Sequence, residues 1–278
     1  MLIRGRAFPA VICAAMLAGC GLSVPEMREF PNNGTPVSND LLVQAIIISV
    51  HCELEDAVTR VINDDAATAH ANGSFYAQFL RGWGAQVALT LALDEKSIVN
   101  PSGIYTPVSA LSSVLYLSGA LSATAEASRI EKVNYYYKVG ELYLGPHRKC
   151  ERDTNPPRDS LLIQSDLKLY EWLSAFVTGA ASGVITSVGK QNVLSHQITF
   201  ELAASGSLTP SWTLVRGSVN QSTLLSGTRH RRHDLLITFG PLDDTQSGSF
   251  LVPIAEQTHI SSQVISGVSG GLRNAAGP

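Results

Sequence analysis

The sequence predicts an α+β protein, a mainly antiparallel sheet covered by about three amphipathic helices. Three observations predict it. Apolar residues recur at helical spacing near the start of the chain, around residue 170 and near its end. Period-two alternation fills the stretches between them. The breaks between alternating stretches are short and rich in Gly, Pro, Asn and Ser, as hairpins require. The predicted order is helix, strands, helix, strands, helix, with no repeat of fixed period.

The first helix is expected from Ser38 to Asp64. Ile46, Val50, Leu54, Val58 and Ile62 recur every four residues, and Ser38 or Asp40 can cap the start. The cleanest strand follows, with Trp83, Ala85, Val87, Leu89, Leu91 and Leu93 at alternate positions. Leu121, Ala123, Ala125 and Ala127 alternate, as do Val133, Tyr135, Tyr137 and Val139, with a turn expected between them at 128–132. The stretch 108–123 has the alternative reading of a weak membrane helix, which its five serines and mild hydropathy count against. A second helix is expected between Asp159 or Ser160 and Gly183. Strands around Ile198–Leu202, Trp212–Leu214 and Leu235–Phe239 and a last helix from about Ala255 complete the order. For the strands from Trp83 to Val139 the expectation is a soluble, helix-covered sheet that does not cross the membrane, because three helices with apolar stripes need a surface to cover.

The N-terminus carries an address. Arg4 and Arg6 precede a run of about a dozen apolar residues, too short for the roughly 20 that span a bilayer. The run ends at Leu17-Ala18-Gly19-Cys20. This order of charge, apolar run, small residues and cysteine resembles the lipobox of bacterial lipoproteins. The resemblance covers the stretch from Met1 to Cys20 and nothing beyond it. It implies removal of residues 1–19, acylation of Cys20 and attachment to a membrane through that lipid. Gly21 follows the cysteine where an aspartate would favour inner-membrane retention, so the outer membrane, facing the periplasm, is expected. Residues 20–37, with three prolines, read as a tether, and 38–278 as a single α+β domain.

Without residues 1–19 the chain keeps 18 basic residues against 23 acidic ones, a formal charge of −5. This mild acidity argues against a nucleic-acid partner. Of four cysteines, Cys13 leaves with the leader and Cys20 takes the lipid, which leaves Cys52 and Cys150 in a disulfide-permissive compartment. Cys52 falls off the apolar stripe of its helix, and Cys150 sits in a polar, proline-rich segment suited to cross that face. A Cys52–Cys150 disulfide is expected, with two free thiols as the alternative. Without CxxC spacing no metal site is expected, and no cofactor.

No motif specifies a reaction. Gly267-Val268-Ser269-Gly270-Gly271 matches the letters of a nucleophile elbow but ends a helical pattern where a strand should lead in. His51-Cys52-Glu53 resembles a fragment of a deaminase signature without its downstream cysteines. Arg229, His230, Arg231, Arg232 and His233 form a candidate anion-binding cluster, for phosphate, lipid headgroups or an acidic polymer. The competing reading is a charged loop that keeps strand edges from pairing. Asn134–Tyr137 reads as a stacking platform or as sheet surface and core. Three functions stay open. One is a non-enzymatic envelope lipoprotein that binds or scaffolds an envelope protein or polymer. Another is a hydrolase with a scattered site. The third is a subunit of an oligomeric secretion or pore assembly that donates strands to a shared barrel.

Overall fold

A computed structural model describes residues 24–25, 39–107, 115–146, 148–152, 160–184, 192–214, 217–219, 222–243 and 250–276. The leader, the lipid site Cys20 and all of the tether but Val24 and Pro25 lie outside these residues. The fold is α+β with two antiparallel sheets. Four long strands form the first, in the order β4-β1-β8-β5: β1 Trp83–Val99, β4 Ala123–Lys138, β5 Leu194–Leu208 and β8 Leu225–Pro241. Four short strands form the second, in the order β3-β2-β7-β6: β2 Ser102–Tyr105, β3 Leu117–Ala120, β6 Trp212–Leu214 and β7 Gly217–Val219. By contacts the chain divides into two units, one of Arg28–Thr90, Lys132–Phe200 and His233–Pro278, the other of Met1–Met27, Leu91–Glu131 and Glu201–Arg232.

The first unit holds the helices. α1 runs Asn39–Asn72, past the expected end at Asp64, until Gly73 takes a left-handed φ of +76°. Leu42, Ile46, Val50, Leu54 and Val58 are completely buried along its predicted stripe. A short α2, Val139–Leu142, follows β4. The expected second helix is interrupted. α3 spans Leu161–Gln164, capped by Ser160 Oγ, which accepts from Leu162 N, and α4 spans Leu169–Ala181. The break arises because the Asp166 carboxylate captures the Lys168 backbone N–H at 2.9 Å, with Lys168 at φ +58°. α5 spans Pro253–Ala276 and contains the Gly267–Gly271 stretch inside its helical turns.

Successive residues of β8 show how this unit is layered. Phe239 meets Trp172 of α4, with ring centroids 5.7 Å apart, while the next residue, Gly240, faces Ala255 of α5. Helices therefore cover both faces of these strand segments. Leu235, Ile237 and Phe239 are fully buried, as are Val87, Leu89 and Leu91 of β1.

The other unit has no helix among its described residues. Its strand segments continue the alternation: Thr124, Glu126, Ser128 and Ile130 of β4 are exposed while Ala125, Ala127 and Arg129 are half-buried. The turn expected at 128–132 does not form, and β4 runs straight through. Arg129 and Glu131 ion-pair on one face, so they occupy two places of the pattern without shifting its phase. β5 likewise runs through Ser205–Ser207 to Leu208. In 108–123, weighed above as a helix, residues 117–120 form β3, and 108–114 lie outside the described residues. The helix cover expected for the whole sheet thus holds for its segments in the first unit.

Candidate assembly surface

The arginine–histidine cluster lies within β8, not in a loop. Strand alternation therefore splits it between two faces and brings its members to carboxylates on the neighbouring strands. Arg229 Nε lies 2.9 Å from Glu95 Oε1 of β1, and His230 Nε2 lies 2.6 Å from Glu201 Oε1 of β5. Arg231 and Arg232 are half-buried on opposite faces. His233 is buried, its Nδ1 3.0 Å from Ser160 Oγ. Five residues adjacent in sequence are thus not one concave anion site. They belong to a belt of charges crossing the sheet, which Lys96 and Glu126 extend to β4 at 3.8 Å.

These pairs fix which positions share a face. Lys96 with Glu126 and His230 with Glu201 lie on one side, and Arg229 with Glu95 on the other. Beyond the belt, toward the short strands, one face carries Ser97, Val99, Ala123, Ala125, Leu202, Ala204, Leu208 and Leu225, and the other Ile98, Thr124, Ala203, Ser205, Ser207, Ser226 and Thr228. The first face is mainly apolar, with Ser97 the exception, and its reverse mixes five hydroxyl side chains with Ile98 and Ala203, a bias that a membrane barrel also uses. In the short sheet, register sets Tyr105 beside Leu117 and Trp212 beside Val219. Alternation puts all four on one face, 40–55% exposed.

β4 and β5 are the outer strands of the long sheet, each with one partner in it. They are 16 and 15 residues long, contain no proline, and β5 has Glu201 as its one Asp, Glu, Lys or Arg. β4 carries Glu126, Arg129, Glu131, Lys132 and Lys138, so β5 is the less guarded of the two. Long, proline-free edge strands with few charges are what monomeric proteins avoid, since each presents a row of N–H and C=O groups to other strands.

Cys52 and Cys150 are bonded, with Cα atoms 5.2 Å apart. Cys52 is buried although it lies off the apolar stripe, because Leu144, Cys150 and Arg152 lie along that flank of α1. Leu144 N donates to Thr59 Oγ1 at 3.0 Å, Cys150 N to Asp56 Oδ1 at 2.8 Å, and Arg152 ion-pairs with Asp56 at 2.9 Å. Glu55 lies beside the two sulfurs, but their bond to each other leaves no thiolate pair for a metal.

The buried polar groups of the first unit serve packing. Asp234 accepts from Gln197 Nε2 at 2.9 Å, from Thr199 Oγ1 at 3.0 Å and from Ser266 Oγ, joining β8, β5 and α5. His259 of α5 is fully buried, with Nδ1 2.8 Å from Thr238 Oγ1, and Gln263 Nε2 lies 2.9 Å from its Nε2. Burial lowers its pKa to about 4. Ser160 and His233 touch, but both are sealed from solvent at 0% and 1% exposure, and Ser160 is committed to capping α3. Of the tyrosines in Asn134–Tyr137, Tyr137 stacks on His51 at 4.7 Å and Tyr136 lies over Gly84. This is packing between sheet and helix, not an open platform.

The fold is α+β, with a long antiparallel sheet whose outer strands are β4 and β5. No family model matches this chain, and no curated protein matches it. Among solved structures it is similar to the secretin InvG (residues 176 to its end) of the Salmonella SPI-1 type III secretion injectisome in the open gate state. Identity is 9% and the TM-score 0.19, over 73% of this chain and 71% of that one. It is also similar to the InvG secretin domain β-barrel from the Salmonella SPI-1 injectisome, at 10% identity and TM-score 0.14, over 67% and 69% of the two chains. Likenesses this weak say nothing about what this chain does. No helix among the described residues is long and apolar enough to cross a membrane.

Proposed function

We propose that this chain is a non-enzymatic lipoprotein of the bacterial envelope, held by acyl chains on Cys20 to the outer membrane on its periplasmic side. Its copies join edge to edge, β4 of one to β5 of the next, as a subunit of an oligomeric secretion or pore assembly. One observation carries the assembly reading: β4 and β5, 16 and 15 residues long and without proline, each have a single strand partner in the long sheet among the described residues. Pairing between copies satisfies those backbone groups and continues the sheet. The lipobox resemblance supports the anchor.

The test is cross-linking of the full-length protein in its own membrane. Cysteine pairs combining Thr124, Glu126 or Ser128 on β4 with Ala203, Ser205 or Ser207 on β5 are treated with a short thiol cross-linker. Within one copy β1 and β8 separate these positions by roughly 14 Å, from three strand spacings of about 4.8 Å. A ladder of multimers from some pairs is expected. Monomer alone from every pair overturns the assembly reading.

A further inference from the structure

We propose that the ends of the four long strands beyond the charge belt, with the short sheet attached to them, insert into the hydrocarbon of a lipid bilayer. Their mainly apolar face is turned to lipid, and the belt of Glu95, Lys96, Glu126, Glu201, Arg229 and His230 marks the boundary with water. This rests on the assembly reading, because a sheet with open edges leaves backbone groups unpaired in lipid and copies joined edge to edge do not.

The distribution of charge points to it. From Ser97 to Ala125 the chain has no Asp, Glu, Lys, Arg or His, and from Leu202 to Thr228 it has Arg216 alone. At the chain's mean of 15% charged residues, about eight would be expected in those two stretches together. Everything from Glu126 to Glu201 separates the two gaps in sequence, yet both begin and end at one level of the sheet. Lys96 meets Glu126, Arg229 meets Glu95 and His230 meets Glu201 across adjacent strands. A solvated hairpin has no reason to lose its charges at the same level on all four strands. A bilayer imposes that, because charge is tolerated near the interface and penalised with depth. The mainly apolar face beyond the belt, with Ala204, Leu208 and Leu225, suits lipid, and the reverse face, where Thr124, Ser205, Ser207 and Thr228 outnumber Ile98 and Ala203, suits a water-filled interior. Tyr105 and Trp212, exposed on one face of the short sheet, have the apolar body and polar tip enriched where hydrocarbon meets water.

The test uses the full-length oxidised protein in phosphatidylcholine vesicles, with one added cysteine carrying a polarity-sensitive fluorophore. Ala204→Cys places it on the apolar face and Ser205→Cys on the reverse. The expected result is a blue shift and at least about twofold quenching by brominated acyl chains at 204, with neither at 205. A blue shift at 204 without lipid quenching overturns the proposal in favour of burial between copies. No change at either position overturns it in favour of a solvated end. Cross-linking of the same samples through β4 and β5 reads assembly separately. Multimers without quenching defeat insertion alone, and quenching without multimers defeats assembly alone. Ala204→Arg should abolish resistance to alkaline carbonate extraction in a variant lacking residues 1–20, which carry both the apolar leader and the lipid site, and Ser205→Arg should keep it. Recovery of the Cys52–Cys150 peptide from both variants shows that the helical unit has folded.

Discussion

Gly84 of β1 lies directly beneath the ring of Tyr136 of β4. A Cβ at position 84 would stand 2.7 Å from the ring carbons Cε2 and Cζ. Glycine is needed here for the space it leaves. The aromatic ring covers backbone that would otherwise lack a side-chain neighbour, a device that pins the register of two strands. Burial by this packing raises the Tyr136 pKa to about 12. Gly84→Ala is therefore expected to destabilise the protein by about 1–3 kcal/mol, the usual cost of overpacking. Adding Tyr136→Ala should recover part of the loss, because the clash goes with the ring. Thermal unfolding of the two single variants and the double variant measures this. Strictly additive losses would refute the contact.

Gly240 repeats the requirement on α5, where a Cβ would come 2.6 Å from Ala255 Cβ. Neither backbone can yield without moving the helix. Gly240→Ala should cost more than Gly84→Ala and should speed amide exchange in α5 before that in α1. Hydrogen exchange read by mass spectrometry checks the order.

The Cys52–Cys150 bond spans a sequence separation of 98. Loops of this size give up to about 4.7 kcal/mol in the chain-entropy model, with about 2–4 typical. The double variant Cys52→Ala/Cys150→Ala should lose stability in that range yet still fold, since Thr59 and Asp56 continue to hold the backbone at residues 144 and 150 along α1. Denaturant titration gives the loss. Peptide mapping without reductant that recovers both residues as thiols in the native protein would remove the premise.

His259 sets a pH dependence. Its folded pKa, lowered by burial to about 4, lies below the ordinary 6.5. Neutral in both states above pH 6.5, it costs nothing there. As pH falls toward 4 the unfolded chain takes up a proton that the folded one refuses, so stability declines through that window. The Gln263 amide beside Nε2 and the Thr238 hydroxyl beside Nδ1 suit the neutral ring. The variant His259→Asn should be less stable at pH 7.5 and should show a flatter decline between pH 6.5 and 4. A slope equal to the parent's would mean that another group titrates.

Cys20 should carry the lipid. Mass spectrometry of the mature N-terminus is expected to find an acylated peptide beginning at residue 20. A Cys20→Ser chain should keep residues 1–19 and lack acyl mass. A native N-terminus that starts elsewhere, unmodified, would refute the assignment.

The elements that were plain in the sequence are those where one periodicity runs uninterrupted. The stripe Ile46–Val50–Leu54–Val58 and the alternation Val87–Leu89–Leu91 are buried where they were expected. The misread places are those where chemistry broke the composition but not the phase. Arg129 and Glu131 look like a turn because they are charged, yet they continue one face of β4. Arg229–His233 looks like a loop for the same reason. Its carboxylate partners, Glu95 and Glu201, come from strands far upstream, which no local window contains. The break at Asp166–Lys168 depends on one side chain capturing one backbone N–H, beneath the reach of periodicity. The charge gaps at 97–125 and 202–228 were visible in the sequence all along. A chain-wide average conceals them, and their shared level on the sheet is apparent only once the strands are paired.

The strand order β4-β1-β8-β5 has a consequence for how the protein is made. A chain that folds as it emerges from its N-terminus can close β1 against β4, and Cys52 against Cys150, while everything after Cys150 is still to emerge. The other side of β1 must wait for β8, which begins only at Leu225. Until then β1 stands half-clothed, with one flank stapled and the other an unsatisfied ladder beside very apolar side chains. Such an intermediate invites the wrong strand from a neighbouring copy. The last strand to arrive thus enters the middle of the sheet, and whatever holds newly made copies apart until it does so governs the yield of correctly folded chains.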